Sequence, residues 1–76
     1  MSDVRAVLID IIQLLKSSRR SLDEAIDELI DSVLDVDERM RDVYIKYAIK
    51  LIEAAFTELY EAHKLLIQLT VSQQVK

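Results

Sequence analysis

The 76-residue chain contains no glycine, no proline and no cysteine. Without cysteine there is no disulfide and no thiolate metal site. Without glycine there is no phosphate-cradling loop, and turns that rely on glycine or proline are excluded as well. The longest apolar stretch, Ala6 to Leu15, is interrupted by Asp10 and Gln13, and at about ten residues it is half the length of a membrane-spanning helix. Before it stands a single basic residue, Arg5, and no small-residue cleavage site follows, so the segment does not read as a signal peptide. The expectation is a soluble, cytoplasmic protein that does not engage a membrane. Asparagine is also missing, and with abundant Ile, Leu and Val this points weakly toward a thermophilic source. Basic residues are outnumbered, 10 against 14 acidic, for a net charge of −4. That balance argues against a protein held to DNA by bulk electrostatics.

What is present is globular composition for one small domain, 51% hydrophobic and 32% charged. The common residues favour or tolerate helix, and nothing forces a helix to stop. Leu8, Leu15, Leu22, Leu29 and Val36 recur every seven residues beside a second row, Val4, Ile11, Ser18, Ala25 and Ser32. Downstream, Ala48, Ala55, Ala62 and Leu69 form one row, and Ile45, Ile52, Leu59 and Leu66, with Ile49 and Phe56, another. Both halves therefore carry a helical period. Two readings compete at Ser17 to Ser21. Ser21 and Glu24 fit an S-x-x-E capping box that would start a new helix, whereas the leucine row crosses from Leu15 to Leu22 without losing phase. The acid-rich Asp35-Val36-Asp37-Glu38 offers helix caps and marks the reversal. The expected organisation is a first arm over about 3–34, a turn over about 35–37 and a second arm over about 38–72.

Folding the chain back about that turn sets Ala25 against Ala48, Ser18 against Ala55, Ile11 against Ala62 and Val4 against Leu69. In the same register Leu29 would meet Tyr44, Leu22 would meet Leu51 and Leu8 would meet Leu65. Asp27 and Asp23 would stand opposite Lys46 and Lys50. The expected fold class is all-α, a long antiparallel helical hairpin. Ile12, Ile26, Ile30 and Val33 on the first arm, and Ile45, Ile49, Ile52, Phe56 and Leu59 on the second, lie beside the stripe that joins the arms. They require a second covering surface, which two hairpins forming a four-helix bundle homodimer would supply. The alternative is a monomeric three-helix bundle broken near Ser17–Ser21.

Four features are candidates for function. The acidic residues Asp31, Asp35, Asp37 and Glu38 cluster at the turn, where they would dock a basic partner or remain a solvated face. At the open end, Val7, Ile9, Ile67 and Val71 are apolar residues that a protein partner would cover. Lys16, Arg19 and Arg20 form a small basic patch. Its setting in a hairpin dimer resembles the general plan of Rop-type RNA-binding hairpin dimers, which would imply RNA contact through these three residues. His63 is the only histidine, in the run Ala62-His63-Lys64-Leu65-Leu66. This run resembles that of histidine-phosphotransfer domains, which would imply phosphorylation at His63. Those domains place Leu, Lys and Gly after the histidine, whereas Lys64, Leu65 and Leu66 stand here.

No cysteine nucleophile and no Ser-His-Asp relay can be assembled, and one histidine does not make a His-rich metal centre. The sequence is therefore read as non-enzymatic, without cofactor or metal. It is an adaptor or accessory subunit that binds a larger protein, a nucleic-acid-processing enzyme among the candidates. Rop-like RNA binding is the alternative, and phosphotransfer a third reading.

Overall fold

A computed structural model of the chain describes residues 3–74, with side chains as far as residue 71. It contains two helices, α1 (Val4–Leu34) and α2 (Glu38–Gln74). They pack side by side as a hairpin measuring 60 × 16 × 13 Å. This is the all-α antiparallel hairpin expected from the two helical rows.

α1 continues through Ser17–Ser21, so the broken three-helix arrangement is not adopted. Serine opens helices by offering the backbone competing hydrogen bonds. Here those bonds are made without leaving the helix. The Ser18 hydroxyl donates back to the Leu15 carbonyl at 2.9 Å, and Ser17 donates across the hairpin to the Glu58 carboxylate. Ser21 and Glu24, the residues of the unused capping box, both lie inside α1.

The helix ends are set by aspartates. Asp3 caps α1, its Oδ1 accepting from the Arg5 amide at 3.0 Å. At the other end Asp35 leaves the helix with φ −82° and ψ 133° while its amide still donates to the Asp31 carbonyl. The Asp35 side chain then accepts from the Asp37 amide, and the Asp37 side chain accepts from the Arg39 amide, each at 2.9 Å. Asp37 thereby caps α2. Arg41 closes the corner by donating to the Asp35 carbonyl at 3.2 Å. No described residue takes a positive φ, so carboxylate-to-amide bonds accomplish here what a glycine often does.

The seam between the helices is narrow. Ile11, Ser18, Ala25 and Ser32 of α1 are buried, as are Ala48, Ala55 and Ala62 of α2. Both sets repeat every seven residues, and their small side chains allow close approach of the backbones. The expected meeting of large residues does not occur. Leu8, Leu22 and Leu29 each remain about 40% exposed, while Tyr44 stands beside Asp35, Asp31 and Glu28. The reason is rotational. At 100° per residue, the leucines lie four positions past a buried residue, about 40° to one side. Tyr44, Leu51 and Leu65 lie three positions past the seam row, about 60° to the other side. The expected charge pairs fail on the same arithmetic, because Asp27 and Lys46 are each two residues from the seam row. They point away from it and are exposed.

A seam this tight has no room for a larger side chain. Replacing Ala55, 1% exposed, by leucine is expected to lower stability by about 1–3 kcal/mol. Leucine at the exposed neighbour Ala54 should have little effect. Urea unfolding of the two variants checks the contrast.

Candidate functional site

The helices run in opposite directions, so the same rotational sense carries both to the same face of the hairpin. On one face, four positions past the seam rows, stand Leu8, Leu15, Leu22 and Leu29 of α1 with Ile45, Ile52, Leu59 and Leu66 of α2. One position past the seam, about 100° around and pointing straight out, stand Ile12, Ile26 and Val33 with Ile49 and Phe56. Ile52 is half-buried. The other candidates are exposed, from 38% at Ile45 through 66% at Phe56 to 80% at Val33. Ile30 is displaced farther around α1, to the edge of this face, and is half exposed. The nine residues singled out in the sequence therefore fall on one side of the hairpin. The row Leu8, Leu15, Leu22 and Leu29, assigned from the sequence to the contact between arms, joins them.

The opposite face is mixed, with Val7, Leu14, Leu51 and Leu65 half-buried along it among polar residues. It carries Glu28, Asp31 and Asp35 around Tyr44, and Ser17 against Glu58. Desolvation raises the Tyr44 pKa above its ordinary 10.0, and the Asp35 and Asp31 carboxylates reinforce the shift, since a phenolate would repel them. A shallow depression lined by Asp31, Leu34, Asp35, Val36 and Tyr44 marks this end of the hairpin. Oε1 of Glu58 is buried and lacks a hydrogen-bond partner, leaving Oε2 as the atom that Ser17 engages.

The remaining candidates are dispersed. Asp35 and Asp37 are occupied in building the turn, and Asp31 and Glu38 are exposed beside them. At the open end Ile9 and Ile67 are exposed at the outer edge of the apolar face. Val71, four residues past Ile67 and about 40° farther around α2, adjoins it on the outer side of that helix, whereas Val7 is half-buried on the opposite side of the hairpin, so these four do not form one patch. Lys16, Arg19 and Arg20 are exposed and contiguous on the outer side of α1, three and four residues apart. Arg19 occupies the outward row of the apolar face, between Ile12 and Ile26. His63 is exposed in the corresponding row of α2, one turn beyond Leu59 and two beyond Phe56. Among the described residues no group of three or more His, Cys, Asp or Glu is placed to hold a metal ion. No described helix is long and apolar enough to cross a membrane.

Comparison of the chain with protein-family models, with curated proteins and with solved structures gives no match.

The polar contacts on the opposite face yield two expectations. Tyr44 is neutral when folded over a range in which the unfolded phenol ionises, so its contribution is complete below pH 10 and is lost as pH rises through the folded pKa. The phenolate absorbance of the wild type minus that of Tyr44→Phe should show one ionisation above pH 10, and Asp35→Asn should move it back down. Ser17→Ala removes a donor from the Glu58 carboxylate, whose other oxygen is already unpartnered. The substitution should cost about 1–3 kcal/mol, and Ser17→Ala combined with Glu58→Leu should recover most of the loss in denaturant unfolding.

Proposed function

We propose that the protein is a non-enzymatic helical association module. Two hairpins join through their apolar faces into a four-helix bundle homodimer, and the dimer serves as an adaptor or accessory subunit for a larger protein. The observation that carries this reading is the one-sided face of exposed Leu, Ile, Val and Phe. With hairpin dimensions of 60 Å by 13–16 Å, a flat face covers roughly 800–960 Å², against the ~800 Å² that each partner contributes to a standard stable interface.

A second copy is the occupant that suits this face. The face runs the length of the hairpin, so a partner must present an apolar strip equally long, and the chain itself has one. Antiparallel pairs stacked in this way are the standard means by which bundles cover the second stripe of each helix. The seam also leaves the isolated hairpin little support, since its buried apolar residues are Ile11, Ala25, Ala48, Ala55 and Ala62. Covering the larger residues outside the seam would supply most of the apolar burial. With that face occupied, the opposite face and the acidic turn remain outward, which is the surface left for the larger partner.

RNA binding through Lys16, Arg19 and Arg20 has less support, because Arg19 shares the face that dimerisation covers. Phosphotransfer at His63 meets the same objection.

Light scattering across a wide concentration range should give twice the 8.8 kDa chain mass, insensitive to salt. Phe56→Lys with Ile26→Lys should give a monomer of reduced thermal stability, while Lys50→Ala, on the other side, should leave the dimer intact. A wild-type monomer at all concentrations would exclude the reading.

A further inference from the structure

We infer that the two hairpins pair with both turns at the same end of the bundle, α1 of each lying over α2 of the other about a two-fold axis along the helices. The inference rests on the self-association proposed above and adds its geometry. Two face-to-face arrangements with full overlap are open to identical hairpins. In one, the two-fold axis runs along the helices and α1 covers the partner's α2. In the other, the axis crosses the helices, α1 covers the partner's α1, and the turns lie at opposite ends. All neighbouring helices are antiparallel in both, so helix direction does not choose between them.

Arg19 makes the choice. It stands in the row that points straight out of the face, between Ile12 and Ile26, and its position is the midpoint of α1 (Val4–Leu34). With the turns at opposite ends, the middle of α1 meets its own copy. Arg19 would then be stacked on a second Arg19 inside an apolar interface, where juxtaposed like charges oppose association strongly. That arrangement also brings Lys16 near the partner's Asp23, but both residues lie at the outer edge, where solvent screens them.

With the turns at the same end, α1 meets α2. The Ser17–Glu58 hydrogen bond shows that residues whose numbers add to about 75 stand level in the hairpin. Arg19 is then level with the partner's Phe56, in the matching outward row. The partner's Glu53 lies three residues away, about 4.5 Å along the axis, at the edge of the same face. Glu53 and Phe56 are both exposed in the single hairpin. A guanidinium laid on an aromatic ring with a carboxylate at its edge satisfies both the apolar stem and the charge. The single cation in the middle of the face becomes complementary to the other arm, and the two-fold axis makes the pair twice.

The test uses the absence of native cysteine. Val36, at the turn and 94% exposed, is replaced by cysteine, spin-labelled, and the distance between the two labels is measured by pulsed electron resonance. Turns at one end place the labels within about 30 Å, two to three helix diameters. Turns at opposite ends place them near the 60 Å length of the hairpin, and that result overturns the proposed geometry while leaving self-association intact. A monomeric mass with no dipolar coupling overturns self-association and the geometry with it. Charge exchange gives an independent reading. Arg19→Glu should weaken the dimer about tenfold or more, and Arg19→Glu with Glu53→Arg should restore it. If the exchange gives no rescue, the Arg19–Glu53 contact is refuted.

Discussion

The closeness of the two helices governs the rest of this molecule. A seam of alanine and serine with one isoleucine lets the backbones approach, but close approach excludes everything larger. Apart from Ile11 the large aliphatic residues and Phe56 flank it instead, and the exposed ones gather mostly on one side, while Leu14, Leu51 and Leu65 are half-buried on the other. The apolar face is thus the geometric counterpart of the small seam. A wider seam built on leucine would have taken the heptad leucines inward and left the hairpin more nearly self-sufficient.

Displacement to one side follows from antiparallel geometry. A residue four positions past a contact rotates toward the same face on both helices, and this chain places Leu and Ile at those positions on both arms. The positions that rotate the other way mix half-buried Val7, Leu14, Leu51 and Leu65 with Glu28, Asp35, Tyr44, Glu58, Ser17 and Asp31. The polar members form their own set of contacts, with Ser17 on Glu58 and the Asp35 and Asp31 carboxylates around the Tyr44 phenol.

The fold was legible because helix period and seam composition are both local properties of the sequence. Ala25, Ala48, Ser18 and Ala55 declare the seam by size and by spacing of seven. The unbroken passage through Ser17–Ser21 was less legible, since a serine's choice between opening a helix and bonding back to it depends on what it meets. Ser17 meets Glu58, forty-one residues away. The leucine row was misassigned for a related reason. A mirror-image pairing of residue numbers records height along the hairpin but not rotation about each helix, so Leu22 and Leu51 stand nearly level while facing different sides. The apolar candidates were nonetheless found, because they were defined by what the seam could not hold. The four at the open end do not share one patch, since Val7 rotates to the other side while Val71 adjoins Ile67.

The turn has a consequence of its own. Every described residue, including Asp35 at the reversal, keeps a negative φ, and Asp35 departs from helix chiefly through its ψ of 133°. No residue there requires a conformation that an ordinary L-amino acid avoids. The chain reverses because the Asp35 and Asp37 side chains and Arg41 hold it closed, not because a continuous path is forbidden. Opened at that hinge, α1 and α2 would become a single rod of about 105 Å, with each half free to find its complement in a neighbouring chain. The same thin seam would then form between molecules, by exchange of arms, from the contacts that now close it within one.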